Sequence, residues 1–279
     1  MRYGGSWMSM SEQSASPARQ AYLLQRARKR KRILLLRILL LIVFLAQWEL
    51  TARLGLVDIF IVSAPSRVVQ TLYGLFCSGD LWVHLGTSCL ETAVGFALGT
   101  LLGILIAVAL WWSDTLSRVL EPYLVVLNAL PKTALGPIFI VWIGAGTESI
   151  IAMTIAISVF VTILNMYVAF CSTDKEKLRL MQAFGASKWQ TLFKLVIPSN
   201  YPALFNTLRV NVGLSWVGVI MGEFLVSKAG LGYLIVYGSQ VFNMDLVMAS
   251  VLLLAAAAVV MYQAILLLEG AAKRKMGVS

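Results

Sequence analysis

Long apolar stretches alternate with short polar connections along most of the chain, and this pattern predicts helices that cross a membrane. Each stretch is close to the roughly 20 residues that a helix needs to span the hydrocarbon core of a bilayer. One of them contains Pro131, Gly136 and Pro137, so we expect a broken helix there. The predicted fold class is therefore all-α and integral to the membrane. About six spans are predicted, at 33–52, 91–112, 116–140, 149–170, 202–226 and 246–268.

Smaller features lie within and between these spans. The stretch 66–76, which follows Pro65, has the apolar periodicity of a short amphipathic helix, and 227–245 has the composition of a glycine-punctuated loop. In the second span, glycine recurs at every fourth position and so occupies one helix face. Such a stripe predicts the close approach of another helix, because no side chain keeps the backbones apart. These glycines are Gly95, Gly99 and Gly103.

One polar, charged segment, 172–202, interrupts the apolar pattern and is called the polar segment below. Thr173 is followed three residues later by Glu176, and Ser187 by Gln190. Both pairs have the spacing of a capping box, in which two side chains satisfy free N–H groups at the start of a helix. The polar segment is thus predicted to contain two short helices.

A sharp corner is expected between these two helices. Gly185 lies where the first helix should end, because glycine enters the left-handed cap conformation without a Cβ penalty. Pro198 is expected to end the second helix, because proline lacks an N–H donor and clashes with the preceding turn. Each helix carries an apolar stripe, so the segment is predicted to fold. The stripes are Leu178, Met181 and Phe184, followed by Trp189, Leu192, Phe193 and Val196.

The distribution of charge predicts how the chain lies in the membrane. Only 13% of the residues are charged and 59% are hydrophobic, whereas soluble domains have about 25% charged residues. The net charge is +10, but the basic residues are not interleaved with aromatic residues as they are on nucleic-acid-binding surfaces. We therefore expect no nucleic acid partner. Eight Lys and Arg residues lie in 1–32, five in the polar segment and three in 271–279. By the positive-inside rule, both termini and the polar segment are cytoplasmic.

These features divide the chain into four parts. Residues 1–32 are predicted to be a basic cytoplasmic arm, and 33–64 the first span with the start of an outer loop. Residues 65–270 form the core, which includes the two predicted helices at 172–198, and 271–279 form a cytoplasmic tail. Every motif that points to a function falls in the third part.

Few residues could carry out chemistry. No G-x-x-x-x-G-K-[ST] motif occurs, so the chain has no phosphate-binding loop with which to hydrolyse ATP. The single histidine, His84, cannot form a histidine-rich metal site, and a position at the membrane interface is the simpler interpretation. The scattered carboxylates also lack the convergent arrangement that a membrane enzyme would need. We therefore expect no catalytic residue, metal or cofactor in this chain.

Three motifs, taken in order, carry a resemblance to a known family. The corner at Gly185 and the run at 196–198 resemble the "EAA" coupling loop of permease subunits in binding-protein-dependent ABC importers. The sequences LPKTALGPIFIVWIGAG at 130–146 and GEFLVSKAGLGYLI at 222–235 are similar to the nitrate, sulfonate and taurine class of these permeases. The E-A-A part of the loop does not match. Its positions hold Arg179, Leu180 and Met181.

The resemblance implies a set of partners. In that family the permease is a dimer in the bacterial plasma membrane, with a solute-binding protein outside and two ATPase subunits that bind ATP and Mg²⁺ inside. The coupling loop enters a groove on each ATPase. An amphipathic hairpin lying on the bilayer is the alternative interpretation of the polar segment. The residues implied at the ATPase contact are Ala183, Gly185, Ala186, Ser187, Lys188 and Trp189.

Polar residues inside the spans are candidates for the solute pathway, because they are costly in a membrane unless they face a cavity or another helix. Lys132 could attract an anionic solute, or it could pair with Glu91 or Glu223 as a structural ion pair. Asn128 and Asn211 could equally form bonds between helices. The candidate pathway residues are Asn128, Pro131, Lys132, Asn165, Asn211, Ser215 and Glu223.

An ion-coupled secondary transporter is the rival hypothesis. Such a protein would have internal repeats and titratable residues near the middle of the membrane. The sequence shows no evident repeat, and most acidic residues lie near the ends of the predicted spans. The resemblance therefore implies a permease that forms the translocation pathway for a small anion or organic solute and is energised by a separate ATPase.

Overall fold

A computed structural model of the chain describes residues 17–56 and 58–276, and every regular element in these residues is helical. The described residues fall into two compact units, divided between Ile59 and Phe60. The helices are α1 (Pro17–Arg53), α2 (Ile59–Val62), α3 (Pro65–Ser78), α4 (Asp80–Trp112), α5 (Asp114–Ala129), a 3₁₀ turn (Lys132–Leu135), α6 (Gly136–Ile143), α7 (Thr147–Cys171), α8 (Lys175–Ala183), α9 (Lys188–Thr191), a π turn (Leu192–Val196), α10 (Ile197–Ser199), α11 (Tyr201–Val226), α12 (Leu231–Gln240) and α13 (Met244–Met276).

The first unit consists mainly of α1. Its apolar side chains between Ile33 and Leu45 are 39% to 74% exposed, as is suitable for a helix surrounded by lipid. The segment Lys31–Arg53 is long and apolar enough to cross a membrane, in agreement with the predicted first span. Residues 1–16 of the predicted basic arm lie outside the described residues, as do 277–279 of the predicted tail.

Three helices, α4, α7 and α11, form the centre of the second unit. The contacts of the glycine stripe show that α4 and α7 run parallel. A Cβ added to Gly95 would lie 2.5 Å from Thr154 Cγ2, and one added to Gly103 would lie 2.5 Å from Thr162 Cβ. These separations are too short for any side chain, so the predicted close approach of another helix to the stripe is confirmed.

Helix α11 packs against both α7 and α4 and runs antiparallel to α7. A Cβ on Gly218 would lie 2.6 Å from Thr154 Cα, and one on Gly222 would lie 3.1 Å from Ile150 Cα. Helix α7 therefore contacts glycine faces on both of its neighbours. Helix α7 begins, and helix α11 ends, at the end of the bundle that lies away from the polar segment. This end of the bundle is called the distal end below.

The number of membrane-crossing helices agrees with the sequence, although the boundaries differ. The described residues contain five helices that are long and apolar enough to cross a membrane, and one bent pair. The second span begins at Asp80 rather than 91, and the last extends to Met276 rather than 268. These spans were placed too short because polar residues such as His84 and Glu91 interrupt the apolar pattern within the helix.

The bent pair is α5 and the helical segment Lys132–Ile143, which meet at 91°. Helix α5 ends at Ala129, and Leu130 is extended, as is usual for a residue before proline. The break predicted at Pro131 is therefore confirmed. The prediction that Gly136 and Pro137 also break the helix is wrong: both lie in the first turn of α6, where the missing N–H of proline costs nothing.

Helix α12 occupies most of the region that the sequence predicted to be a loop, 227–245. That prediction is wrong because the glycines of this region serve packing as well as turns. Gly230 takes φ +116° before the helix begins. A Cβ on Gly238, inside the helix, would lie 2.9 Å from Val247 Cγ2, so this glycine allows α12 to lie close to α13.

Candidate functional site

The polar segment folds into helices as predicted, but its first cap differs. Helix α8 begins after Asp174, whose Oδ1 accepts a hydrogen bond of 2.8 Å from Glu176 N. The predicted capping box of Thr173 and Glu176 is therefore wrong by one residue. Thr173 is buried, and its Oγ1 accepts a bond of 2.8 Å from Asn200 Nδ2. Asp174 therefore caps α8, while Thr173 connects the two ends of the polar segment.

Gly185 and Ser187 make the corner. Gly185 adopts φ +71°, as predicted, and no atom lies within 4 Å of a Cβ placed on it. Ser187 Oγ accepts from Gln190 N at 3.2 Å, and Ser187 N donates to Gln190 Oε1 at 2.8 Å. The second predicted capping box is thus confirmed. With Ala183 at the end of α8 and Ala186 inside the corner, all the residues predicted to contact an ATPase lie in one short, largely exposed stretch.

The helix after the corner continues past Pro198. Helix α9 passes into the π turn Leu192–Val196 and then into α10, which ends at Ser199. The prediction that Pro198 ends this helix is therefore wrong by one residue. Proline is accommodated because it lies in the first turn of α10, directly after the wide π turn, where no N–H is needed.

The polar segment has two apolar faces rather than the single stripe per helix that was predicted. Leu192 and Val196 are buried in a cluster that they form with α4 and α7. By contrast, Phe184, Trp189 and Phe193 are 79%, 58% and 60% exposed. One face therefore attaches the segment to the bundle, and the other is left uncovered in this chain.

Lys188 and Trp189 also lie against the end of α4. Lys188 Nζ donates a 3.1 Å hydrogen bond to Trp112 O and lies 5.6 Å from the centroid of the Trp112 ring. The rings of Trp112 and Trp189 are 4.7 Å apart, and Trp189 stacks on Phe193 at 5.7 Å. A cation beside the last carbonyl groups of a helix is favourable. The corner is thus attached to α4 as well as to its own flanking helices.

Asn211 connects the three central helices. It is fully buried, and its Nδ2 donates to Thr100 Oγ1 at 2.9 Å and to Thr162 Oγ1 at 2.7 Å. Among the described residues, neither Asn211 Oδ1 nor the Oγ of buried Ser215 has a hydrogen-bond partner. Of the two roles left open for Asn211, the bond between helices is observed.

Lys132 does not pair with a glutamate in the described part of the chain. Its Nζ donates to Asn128 O at 2.8 Å and to Asn128 Oδ1 at 3.3 Å, so it bridges the break at Pro131. The ion pair with Glu91 or Glu223, one of the two alternatives left open for Lys132, is therefore not formed, because both oxygens of Asn128 accept from the ammonium. Among the other candidate pathway residues, Asn128, Pro131 and Asn165 are exposed. By contrast, Asn211, Ser215 and Glu223 are buried.

Glu223 positions the start of α12. Its Oε1 accepts from Ser88 Oγ and its Oε2 from Gly232 N, both at 2.5 Å, while Ser88 Oγ accepts from Leu231 N at 2.7 Å. A carboxylate at free N–H groups of a helix N-terminus is stabilised by the helix dipole. A Cβ on Gly230 would collide with this carboxyl. Both carboxyl oxygens of Glu223 are therefore used within the protein.

Glu91 lies beside Glu223 and is 1% exposed. The side chains of Thr147 and Glu223 lie within hydrogen-bonding range of its carboxyl. Glu91 lines a cavity of about 310 Å³ at the distal end. The other lining residues are Thr87, Ala145, Gly146, Thr147, Ile150, Val226, Ser227, Lys228 and Ala229.

The comparison with known families agrees with this geometry. Residues 99–277 match the family described as binding-protein-dependent transport system inner membrane component. The chain belongs to this family. It is therefore the membrane-embedded permease of an ABC importer, a transport component.

Three relatives extend the match beyond the family region. The permease is 33% identical to a probable ABC transporter permease protein of Haemophilus influenzae, over 84% of this chain and 95% of the relative. It is 31% identical to the formylaminopyrimidine transport permease protein ThiX of Halalkalibacterium halodurans, over 67% and 74%. It is 28% identical to the putative aliphatic sulfonates transport permease protein SsuC of Bacillus subtilis, over 78% and 79%. None of the three is named as an ion-coupled secondary transporter.

A solved structure has the same fold. The chain is similar to the methionine ABC transporter MetNI in inward-facing conformations, with a TM-score of 0.57 and 18% identity, over 70% of this chain and 94% of the other. The predicted all-α permease fold is thereby confirmed.

Proposed function

We propose that this permease forms the translocation pathway for a small organic anion, such as a sulfonate or a taurine-like solute. We propose further that the polar segment couples this pathway to a separate ATPase subunit, which binds ATP and Mg²⁺. The observation behind the coupling role is the corner at Gly185, which is fixed to the bundle on one side and uncovered on the other.

The uncovered side has the composition of a protein interface. Phe184, Trp189 and Phe193 form an exposed aromatic surface, with Lys188 beside it. Aromatic residues are enriched at the centres of interfaces, and large apolar patches on a surface usually mark a binding site. A hairpin lying on the bilayer would not need the buried contacts of Leu192 and Val196 with the central helices. These contacts favour a role in transmitting movement.

The orientation follows from the basic residues. The polar segment carries five Lys and Arg residues, and the arm at 1–32 carries eight. The positive-inside rule therefore supports a cytoplasmic polar segment and cytoplasmic termini, with the distal end on the outer side. We propose that two copies of the permease assemble with two ATPase subunits at the polar segment and a solute-binding protein at the distal end.

Two of the three relatives described above are named for a solute. The Bacillus relative is named for aliphatic sulfonates and the Halalkalibacterium relative for formylaminopyrimidine. We favour the sulfonate class because it agrees with the motifs at 130–146 and 222–235. Identification of the ligand of the partner solute-binding protein, followed by uptake measurements with and without this permease, decides between the two.

Substitution of Gly185 tests the coupling role. At φ +71° a β-branched side chain is strained, so Gly185→Val should abolish ATP-driven uptake while the protein is still inserted in the membrane. Gly79→Val is the matched control, because Gly79 is also left-handed, at φ +84°, with no atom within 4 Å of its Cβ, but lies at the distal end. We expect this control to retain uptake.

Both variants should be compared at equal abundance in the membrane. The coupling role is wrong if the Gly185 variant imports solute at the wild-type rate. It is also wrong if both variants lose uptake equally, since strain alone would then explain the loss.

A further inference from the structure

A groove runs between α4 and α13 on the outside of the second unit, with α11 at its base. It encloses about 390 Å³, and its lining is apolar apart from the thiol of Cys89. Trp216 of α11 is the buried residue of the lining, whereas Ala93, Val260 and Ala264 at its edges are exposed. Both flanking helices are long and apolar enough to cross a membrane. This lateral groove is therefore open to the hydrocarbon that surrounds the helices.

The base of the lateral groove continues along α11 to a charged residue. Arg209 lies seven residues before Trp216, so the two side chains leave the same helix face about 10 Å apart. Gly213 lies between them on this face, and no atom comes within 4 Å of a Cβ placed on it. No neighbouring side chain thus closes the path from the apolar groove to Arg209.

The partner of Arg209 comes from α13. The Glu269 carboxylate accepts hydrogen bonds from the Arg209 guanidinium and, at 2.9 Å, from Lys273 Nζ. The Glu269 side chain is only 9% exposed, whereas those of Arg209 and Lys273 are 30% and 50% exposed. The carboxylate therefore lies beneath two cations. Because a guanidinium has five N–H donors and an ammonium three, one carboxylate cannot accept from all of them.

This cluster carries more positive charge than an ion pair between two helices needs. One cation would balance Glu269, but the structure places two there, and exposed Arg274 follows Lys273 directly. Arg209 lies eight residues into α11, about 12 Å from its start. Charge at such a depth is costly without a counter-charge. Basic groups between membrane helices on the cytoplasmic side are suited to the phosphate of an anionic lipid.

We propose that the lateral groove holds an acyl chain of an anionic phospholipid from the cytoplasmic leaflet, and that the lipid phosphate lies against the outer side of Arg209 and Lys273. Ala264, at the end of the groove, is five residues before Glu269, which is about 7 Å along α13. One lipid molecule can therefore reach the groove and the cations together. This site is separate from the polar segment and goes beyond the proposed transport function, from which it takes only the orientation.

A membrane helix of a second copy of the chain is a poorer occupant. The apolar helix α1 is preceded by a strongly basic stretch, since six of the seven residues 26–32 are Lys or Arg. If α1 of a second copy filled the groove in the same orientation, this stretch would approach Arg209 and Lys273, and like charges repel. The charge of the cluster therefore favours a lipid that brings a negative group.

Three probes test this inference on the complete transporter in detergent, without nucleotide or solute. Dioleoylphosphatidylglycerol carries acyl chains and a negative charge, and dioleoylphosphatidylcholine has the same chains without net charge. Glycerol 3-phosphate has the phosphate without chains. Binding is measured by titration with native mass spectrometry. We expect phosphatidylglycerol to bind about tenfold more tightly than phosphatidylcholine, and glycerol 3-phosphate not to displace it, because the chains supply the apolar contact.

Two pairs of variants separate the headgroup from the chain. Lys273→Gln should weaken phosphatidylglycerol about fivefold and leave phosphatidylcholine unchanged. Its control is Arg118→Gln, because Arg118 is also exposed and paired with a carboxylate four residues away. Ala264→Trp fills the groove and should weaken both lipids by about tenfold or more. Ala255→Trp is its control, since this exposed alanine of α13 does not line the groove.

The inference is overturned if phosphatidylcholine binds as tightly as phosphatidylglycerol, if glycerol 3-phosphate displaces the lipid, or if either variant binds lipid like its control. It is also overturned if Ala264→Trp separates the permease subunits without changing lipid binding, since a protein helix would then occupy the groove. Melting temperatures are measured in parallel, and Ala264→Leu replaces an unstable tryptophan variant. Because lipid binding needs neither ATP nor solute, its failure would leave the proposed coupling role standing.

Discussion

The contact between α7 and α11 makes a strong prediction, because it leaves no room for a single methyl group. In Gly218→Ala the new Cβ would lie 2.6 Å from the backbone Cα of Thr154, whereas ordinary contacts begin near 3.4 Å. The obstacle is backbone, so it cannot rotate away. The two helices must separate by about 0.8 Å, and Thr154 is already in contact with Gly95 of α4.

The size of the effect follows from the cost of overpacking. Inserting a methyl group into a well-packed core costs about 1–3 kcal/mol. The opposing gain from replacing glycine in a helix is at most about 1 kcal/mol. Gly213→Ala isolates this gain, because Gly213 is in the same helix and has no atom within 4 Å of its Cβ. We expect Gly218→Ala to be less stable than wild type and Gly213→Ala to be equal or more stable.

Thermal unfolding of the purified permease in detergent, followed by size-exclusion of the remaining folded fraction, measures the difference. About 2–4 °C is expected per kcal/mol for a protein of this size, so the two variants should differ by several degrees. Equal melting temperatures would refute the close packing of α7 on α11, and with it the rigid connection between the ends of the bundle.

Two further stability predictions use the same assay. Ser88→Ala removes the acceptor of the buried Leu231 N–H and one donor to Glu223, so it should lower the free energy of unfolding by about 1–3 kcal/mol. Ser250→Ala should lower it less, because this equally buried hydroxyl donates only to Leu246 O of its own helix. Asn211→Leu should cost about 1–2 kcal/mol through loss of its bonds to Thr100 and Thr162, whereas Asn165→Leu, at an exposed position of α7, should be nearly neutral. Equal losses within either pair would contradict the assigned hydrogen bonds.

Much of the fold could be predicted from local signals. The apolar lengths gave the number of spans, the glycine stripe of α4 gave a helix contact, and Ser187 with Gln190 gave a helix start. These features depend on residues close in sequence. The errors at Thr173 and Pro198 were each of one residue, because a neighbouring Asp competes for the cap and a π turn accommodates proline.

The distal cavity could not be predicted in the same way. Its charged residues come from different elements: Glu91 from α4 and Lys228 from the connection after α11. The sequence shows Glu91 as one acidic residue in an apolar stretch, and Glu223 as another. Only the packing reveals that both carboxyl oxygens of Glu223 are bonded, one to Ser88 and one to Gly232. A pattern along one helix contains no information on these contacts.

The two regions are connected by the same pair of helices. Helix α7 has 25 residues and so extends about 37 Å; it begins at Thr147, beside the cavity, and ends at the polar segment. Helix α11 begins after the polar segment and ends at Val226, which also lines the cavity. Because the glycine contact at Gly218 prevents these helices from moving independently, a displacement of the polar segment would move two walls of the cavity together.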